Sequence, residues 1–350
     1  MAVPLLDVRA VYIDGHRICV RSAGAGPMVL MCHGFPETWH SWRHQIAPLV
    51  AAGYRAVVMD MRGYGRSSKP LDVASYRITE LVRDCVGVVE AFEESQAIVI
   101  GHDWGAPVAW TAAWTRPDMF RAVVGMSVPF GARGLHALPG DPFGDVRPSI
   151  THRRLGGSDK FFYQEHYSLP GIGERDAERD LRGWLTALIR SVSADAPLPP
   201  EFQDIDLTTL PRDRLVDYVR ATVCRSRDLG LPERRPPRKP PAWLSQAELD
   251  NWVSELEHGG ITGPFNYYRA QDLNWELLER WRNQPLTVPS LFIGGDRDIA
   301  TVWGQEAIER AGEYLKDLRG SVIIPDCGHW IQQEKPEAVN LEIMKFLKSL

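Results

Sequence analysis

Ala97-Ile98-Val99-Ile100-Gly101-His102-Asp103-Trp104-Gly105 is the stretch that decides the fold. Its first residues are uninterrupted and apolar, rich in β-branched side chains, and read as a strand buried on both faces. The run stops at Gly101, and Ala106 to Thr115 then reads as a helix ended by Pro117. Strand, G-x-D-x-G turn and helix together make a sharp elbow, where flanking glycines relieve crowding around a side chain presented at the strand's end. Serine is the usual occupant of such an elbow; here it is Asp103. A carboxylate is already ionised near neutral pH and attacks carbon directly by displacement. That chemistry opens a strained ring or expels a halide, leaving an alkyl ester on the protein. It suits amides and ordinary esters poorly. An aspartate here could also cap the following helix, and the rest of the chain decides between the two.

The alternation of short apolar runs with helical segments covers the first 130 residues and indicates an α/β fold with a largely parallel sheet. His16–Ser22, Met28–Cys32, Ala56–Asp60 and Ala122–Met126 read as further strands. Thr79 to Glu93 reads as a helix capped by Thr79, with Leu81, Val82, Cys85, Val88, Val89 and Phe92 at helical spacing. The rhythm breaks after Pro129. Residues 131–283 lack apolar strand runs and read as helix and loop. They include Leu231 to Pro241, rich in proline and expected to be an extended or polyproline-like connection. Strands resume at Ser290–Ile293 and Val322–Ile324, and Pro336 to Leu350 reads as an amphipathic helix with proline in its first turn. The expected organisation is a core domain of residues 1–130 and 284–350, interrupted by a mainly helical cap domain of residues 131–283.

The formal charge of the 350-residue chain is −5 at pH 7, which argues against nucleic acid as a main partner, because phosphate binding needs a basic surface. No stretch approaches the roughly 18 consecutive apolar residues of a membrane span. The N-terminus shows no basic segment followed by an apolar run, so no secretory signal is expected there. Cys19, Cys32, Cys85, Cys224 and Cys327 are odd in number and widely spaced, with no C-x-x-C pair. Neither a disulfide framework nor a zinc site is expected, and a reduced, cytoplasmic setting is. Cys327, two residues before His329, is expected to pack rather than to attack. No ligand cluster calls for a metal or an organic cofactor.

Further strand ends carry polar residues. His33-Gly34-Phe35-Pro36-Glu37 follows an apolar run, and a turn there can set the Phe35 N–H beside that of Trp104 as an oxyanion hole. His33 reads as a turn residue. Leu291 to Gly295 leads into Asp296-Arg297-Asp298, and Val322 to Pro325 into Asp326-Cys327-Gly328-His329-Trp330. Catalytic groups of open parallel sheets gather at strand carboxyl ends. Among the ten histidines, His329 has the best context for a base. Nucleophile, acid, histidine is the chain order of a triad on such a sheet, with Asp296 or Asp298 in the middle place.

His33-Gly34-Phe35-Pro36-Glu37, the stretch Asp60 to Ser68, Gly101-His102-Asp103-Trp104-Gly105 and Gly328-His329-Trp330 together resemble the epoxide hydrolases of the α/β-hydrolase fold, of the soluble and bacterial type. The resemblance covers nearly the whole chain. It implies a mostly parallel central sheet flanked by helices, an inserted helical cap, a cis Phe35–Pro36 bond, and Asp298 as the acid. It also implies two cap tyrosines that hold and protonate the epoxide oxygen. These align with Tyr163 and Tyr268, with Tyr167 and Tyr267 as the nearest competitors. The implied reaction converts a small-molecule epoxide to a vicinal diol without a cofactor. Asp103 attacks, His329 oriented by Asp298 activates water, and the Phe35 and Trp104 N–H groups hold the oxyanion. Activity is then expected to fall below about pH 6–7, as the base becomes protonated. The expected assembly is a monomer or a homodimer.

A haloalkane dehalogenase shares the aspartate nucleophile and much of the elbow motif, but it often has asparagine where this chain has Phe35. The paired cap tyrosines favour the epoxide reading. A fluoroacetate-type dehalogenase typically has arginine where Trp104 stands. A catalytically silent receptor on the same fold would usually have lost a triad member, and every needed residue type is present here.

Overall fold

Short aliphatic runs build the centre of the molecule. The computed structural model describes residues 4–227 and 239–350, so most of the proline-rich stretch expected to be extended lies outside the described residues. Strands β1 (Asp7–Ile13), β2 (His16–Ala23), β3 (Met28–Cys32), β4 (Arg55–Met59), β5 (Ala97–His102) and β6 (Phe120–Met126) come first in the chain. Strands β7 (Lys160–Phe162) and β8 (Cys224–Ser226) follow, then β9 (Ser290–Gly295) and β10 (Leu318–Ile324). Eight of these form one sheet in the order β1-β2-β4-β3-β5-β6-β9-β10. The β1–β2 and β2–β4 pairs are antiparallel, and all the other neighbours are parallel. This is the mostly parallel, helix-flanked sheet that the motifs implied.

Alternation along each strand fills both faces. Leu30, Val99 and Val123 join one apolar cluster with Leu81 and Val88 of the helix Ile78–Ala91 and Val108 and Ala112 of the helix Gly105–Thr115. Val29, Met31, Ile98, Ile100 and Val124 join a second cluster, with Ile46 and Leu49 of the helix Arg43–Ala51 and Ile343 and Phe346 of the helix Pro336–Lys348. With both faces covered, the strands have no polar side, which is why they read as continuous apolar runs.

One local expectation fails, and one strand goes unread in the sequence. Thr79 does not cap its helix: the N-cap residue is Arg77, without a side-chain cap bond, and Thr79 lies in the first turn. Strand β1, not expected from the sequence, pairs with β2 through Asp14 and Gly15, both at positive φ (48° and 83°). That conformation is what a two-residue hairpin turn needs, and the Asp-Gly dipeptide is its signal. As an edge strand with only Val11 and Ile13 buried, β1 offers no apolar run to notice.

Between β6 and β9 the described chain is mainly helical, with the short antiparallel pair β7–β8 as an exception. Its helices are tied to loops at the sheet's carboxyl edge. Trp252 Nε1 donates to Pro36 O at 2.7 Å, and the Tyr267 hydroxyl to Arg62 O at 2.8 Å. No helix among the described residues is long and apolar enough to cross a membrane.

Strand β5 enters the helix Gly105–Thr115 through Asp103, whose φ is 49°. This left-handed conformation disfavours a non-glycine residue by roughly 1–3 kcal/mol. The turn is tight enough that a Cβ added at Gly101 would lie 2.0 Å from Gly105 O, and one added at Gly105 would lie 2.0 Å from Cys32 O. Both contacts are with backbone, which cannot swing aside. Gly101→Ala is therefore expected to destabilise the protein by about 2 kcal/mol or more through overpacking, read as a lower urea midpoint at unchanged slope. An unmoved midpoint would mean that the elbow relaxes freely.

Candidate active site

Because β3, β5, β6, β9 and β10 are parallel neighbours, the loops after them open at one edge of the sheet. Asp103 is buried there. Its Oδ1 accepts a hydrogen bond from the Phe35 N–H at 2.6 Å, while its Oδ2 lies 3.5 Å from His329 Nε2. One carboxylate oxygen is thus held by a backbone donor, and the other faces the imidazole over a longer gap. The Phe35–Pro36 bond is cis. Of the two amides expected to form an oxyanion hole, that of Phe35 engages Asp103. Trp104 is the N-cap residue of the helix behind, its indole edge-on to the Tyr268 ring at 5.3 Å.

His329 Nδ1 is 2.9 Å from Asp298 Oδ1. Asp298 is itself fixed: Thr301 Oγ1 donates to its Oδ2 at 2.8 Å and the Ala300 N–H to its Oδ1 at 3.2 Å. The competing Asp296 has a different task. Its oxygens accept from the Asp326 and Cys327 N–H groups at 2.9 and 3.0 Å, bracing the loop that carries His329. Cys327 is buried, and burial pushes its thiol well up, which leaves it a packing residue. His33 Nε2 accepts from the Met61 N–H at 3.0 Å, so it serves the turn.

Burial works against every charge in this group, yet the neighbours win each time. Burial pushes the Asp103 carboxyl up, but hydrogen bonding and charge from His329, the charge of His102 and the Phe35 N–H hold it below its ordinary value. Asp298 is likewise pushed up by burial and brought below its ordinary value by His329, Ser127 and Thr301. Burial lowers His329, but the carboxylates of Asp298 and Asp103 raise it well above the usual histidine range. The two carboxylates thus favour the cationic form of the imidazole between them, and it favours their ionised forms.

A cavity of about 340 Å³ opens over Asp103 and His329, and Tyr163 and Tyr268 line it, their ring centroids 6.0 Å apart. Burial and then the charge of Asp103 push the Tyr163 hydroxyl well above its ordinary value, and burial, then Tyr163 and Asp103, do the same to Tyr268, so both stay protonated. The Tyr163 hydroxyl accepts from Gln164 Nε2 at 2.9 Å, which leaves its own proton free to donate. Of the two competitors, Tyr267 spends its hydroxyl on Arg62 O at 2.8 Å. Tyr167 lines the cavity with its ring against Phe35, at 5.5 Å.

Three neighbours of the site carry no role in the sequence-based account. Ser127, at φ 70° just past β6, sets its Oγ 3.1 Å from His329 Nδ1. Its signal was its place at the carboxyl end of a buried strand. Glu37 Oε2 lies 2.8 Å from His102 Nδ1, and His102 Nε2 lies 2.7 Å from the carbonyl oxygen of His329. Both residues stand in motifs already singled out, but only packing shows that they anchor the His329 backbone. Among the described residues, no group of three or more His, Cys, Asp or Glu is clustered so as to hold a metal ion.

Residues 27–163 match the family described as alpha/beta hydrolase fold. Epoxide hydrolase B of Mycobacterium tuberculosis is 46% identical over 328 residues, covering 93% of this chain and 92% of that protein. The chain belongs to the epoxide hydrolases of the α/β-hydrolase fold. Epoxide hydrolase 3 of Siraitia grosvenorii is 33% identical, covering 95% of this chain and 96% of that one. Among solved structures, an epoxide hydrolase from an endophytic Streptomyces superposes with a TM-score of 0.86 at 40% identity, covering 98% of this chain and 95% of that one.

The charge arrangement predicts the behaviour of an Asp298→Asn variant. Removing that carboxylate takes away the largest influence raising His329, so its imidazole should titrate at lower pH than in the parent, as followed by NMR of the ring protons. Turnover should fall roughly 10²–10⁴-fold as the base loses its orienting partner. An unmoved titration would show that Asp103 alone sets the histidine.

Proposed function

We propose that the chain hydrolyses small-molecule epoxides to vicinal diols through an ester on Asp103. The observation that carries the reading is one chamber that holds the free oxygen of an ionised carboxylate, two protonated tyrosines and an oriented imidazole. The epoxide oxygen would accept from Tyr163 and Tyr268. Asp103 Oδ2 attacks a ring carbon from the opposite side, the carbon–oxygen bond of the ring breaks, and a tyrosine proton passes to the departing oxygen. General-acid help of this kind contributes roughly 10²–10⁴ in rate. Oδ1 is then the carbonyl oxygen of the ester, already held by the Phe35 N–H. Water, deprotonated by His329, attacks the ester carbon. The developing oxyanion rests on the Phe35 N–H, with the Trp104 N–H as the second donor; as it collapses, the carbon–oxygen bond to the diol breaks, and the diol oxygen takes the remaining proton of the added water, leaving Asp103 ionised.

The direction in which His329 is shifted changes the expected pH dependence. An imidazolium is no base, but Asp103 loses its negative charge when it becomes an ester, and with it goes one of the two influences that raise His329. The tyrosinate left by ring opening takes back a proton from His329, so the first step creates the base for the second. The acid limb belongs to the ester intermediate rather than to the free protein. Asp103, held below the ordinary carboxylate value, remains able to attack as the pH falls. Rapid-mixing measurements with styrene oxide, followed by tryptophan fluorescence, should show ester formation persisting from pH 8 to about pH 5 while ester hydrolysis slows. Ester formation that fell in step with hydrolysis would count against this order.

The decisive experiment is a single turnover of excess protein with styrene oxide in ¹⁸O-water. The label is expected in the Asp103 carboxylate, with no ester formed by Asp103→Ala. Label in the diol with Asp103 unlabelled would mean direct attack by water. Halide release from haloalkanes without diol formation would favour the dehalogenase, against which Phe35 stands in the place where asparagine is often found.

A further inference from the structure

Two buried amides form a chain that ends on the hydroxyl of Tyr163. Gln271 Nε2 donates to Gln164 Oε1 at 3.0 Å, and Gln164 Nε2 donates in turn to the Tyr163 hydroxyl at 2.9 Å. Gln164 is 0% exposed and Gln271 4%. The chain joins the helix Tyr163–Ser168 to the helix Gln271–Leu277, through residues 107 apart in sequence. Aromatic rings surround its end: those of Phe162, Tyr167 and Trp303 lie 4.9, 5.8 and 6.2 Å from the Tyr163 ring. A buried amide in such surroundings is disfavoured unless its groups are paired. Gln164 meets that need by pairing with the oxygen of a side chain that lines the chamber.

The two cavity tyrosines differ in this respect. Among the largest influences on their titration, a hydrogen bond acts only on Tyr163, from Gln164, and it favours the ionised form against the pull of burial. Tyr268 is surrounded by rings, with Phe35, Trp104 and Tyr167 at 5.1, 5.3 and 5.3 Å. A phenol that gives its proton to the departing oxygen becomes a phenolate. The N–H already donating to that oxygen then binds more strongly, because a charge-assisted hydrogen bond is roughly twice as strong as a neutral one. The donor is in place before the reaction, so little reorganisation is needed. Gln271 sets the way the amide faces: by occupying Gln164 Oε1 it leaves Nε2 turned to Tyr163.

We infer that Gln164, oriented by Gln271, is a positioning residue for ring opening: it leaves the Tyr163 proton free for the epoxide oxygen and stabilises the phenolate that results, so that Tyr163 rather than Tyr268 gives up its proton. As Asp103 forms the ester, the carbon–oxygen bond of the ring breaks and the Tyr163 proton passes to the released oxygen. Gln164 Nε2 holds the phenolate until His329 returns a proton to it. Tyr268 donates a hydrogen bond to the epoxide oxygen and keeps its own proton. The inference rests on the epoxide reading and deepens it.

The test times ester formation and ester hydrolysis separately, in single turnovers of excess protein with styrene oxide followed by tryptophan fluorescence. Gln164→Met keeps the length of the side chain and removes the donor. It should slow ester formation about tenfold, the scale of one hydrogen bond to a charged oxygen, and leave ester hydrolysis unchanged. The slowing should vanish in a Tyr163→Phe background, which has no oxygen to receive the bond, and persist in a Tyr268→Phe background. Tyr163→Phe alone should slow ester formation more than Tyr268→Phe alone. Groups that act through one another are not additive, whereas a mere loss of packing slows the step equally in every background. Gln271→Met, which frees the Gln164 amide to turn, reads the same step if Gln164→Met does not fold. Equal slowing in all backgrounds, ester formation unchanged or faster in the glutamine variants, or the reverse order of the two Phe variants overturns the inference and leaves the hydrolase reading standing. A parent that forms neither ester nor diol from styrene oxide would sink that reading and the inference with it.

Discussion

The left-handed turn at Asp103 constrains everything around it. At φ 49° the chain reverses so tightly that Gly101, Gly105 and Cys32 approach closer than any Cβ allows. That closeness positions the site. Cys32 is paired with Gly101 in parallel register, so the loop that leaves β3 must run directly past the elbow. The Phe35 N–H then meets the Asp103 carboxylate at 2.6 Å. A looser turn would leave the carboxylate without its backbone donor and free to choose among rotamers.

Around the elbow, the electrostatics are arranged so that no buried charge stands alone. Two carboxylates share one imidazolium, and the excess negative charge is met by the Phe35 and Ala300 N–H groups and the Thr301 hydroxyl. Unpaired ions in such a place would be neutralised by shifted titration. Here the partners reverse the direction that burial imposes on all three groups. The result is a site in which the titration of His329 depends on the charge carried by Asp103.

The helical segment between β6 and β9 completes the chamber from the other side. Tyr268 is buried and Tyr163 half-buried in an aromatic group that includes Phe35, Trp104 and Trp303. Such rings supply large apolar area with few rotatable bonds, so the hydroxyls of Tyr163 and Tyr268 are held by packing rather than by polar contacts alone. Bonds such as that from Trp252 Nε1 to Pro36 O tie the same segment to the loop that bears the Phe35 N–H. The placing of the tyrosines and the shape of the elbow are therefore linked.

The sequence by itself determined the elements whose signals are local. Continuous aliphatic runs specify strands buried on both faces, and G-x-D-x-G specifies a turn that nothing bulkier fits. The loops bearing Asp298 and His329 are legible because each follows such a run. What depends on contacts between distant residues was decided only by tertiary structure. Asp296 and Asp298 are alike in sequence, and only the fold gives the first to the amides of residues 326 and 327 and the second to His329. Tyr267 and Tyr268 are adjacent on one helix, and rotation about that helix sends one hydroxyl to Arg62 O and the other ring to the cavity. His329 looks from its sequence like an ordinary base near pH 6.5, whereas two carboxylates brought from 226 and 31 residues away raise it well above that value. Local pattern sets backbone conformation because sterics act between near neighbours; charge, burial and partner choice depend on residues far apart in the chain.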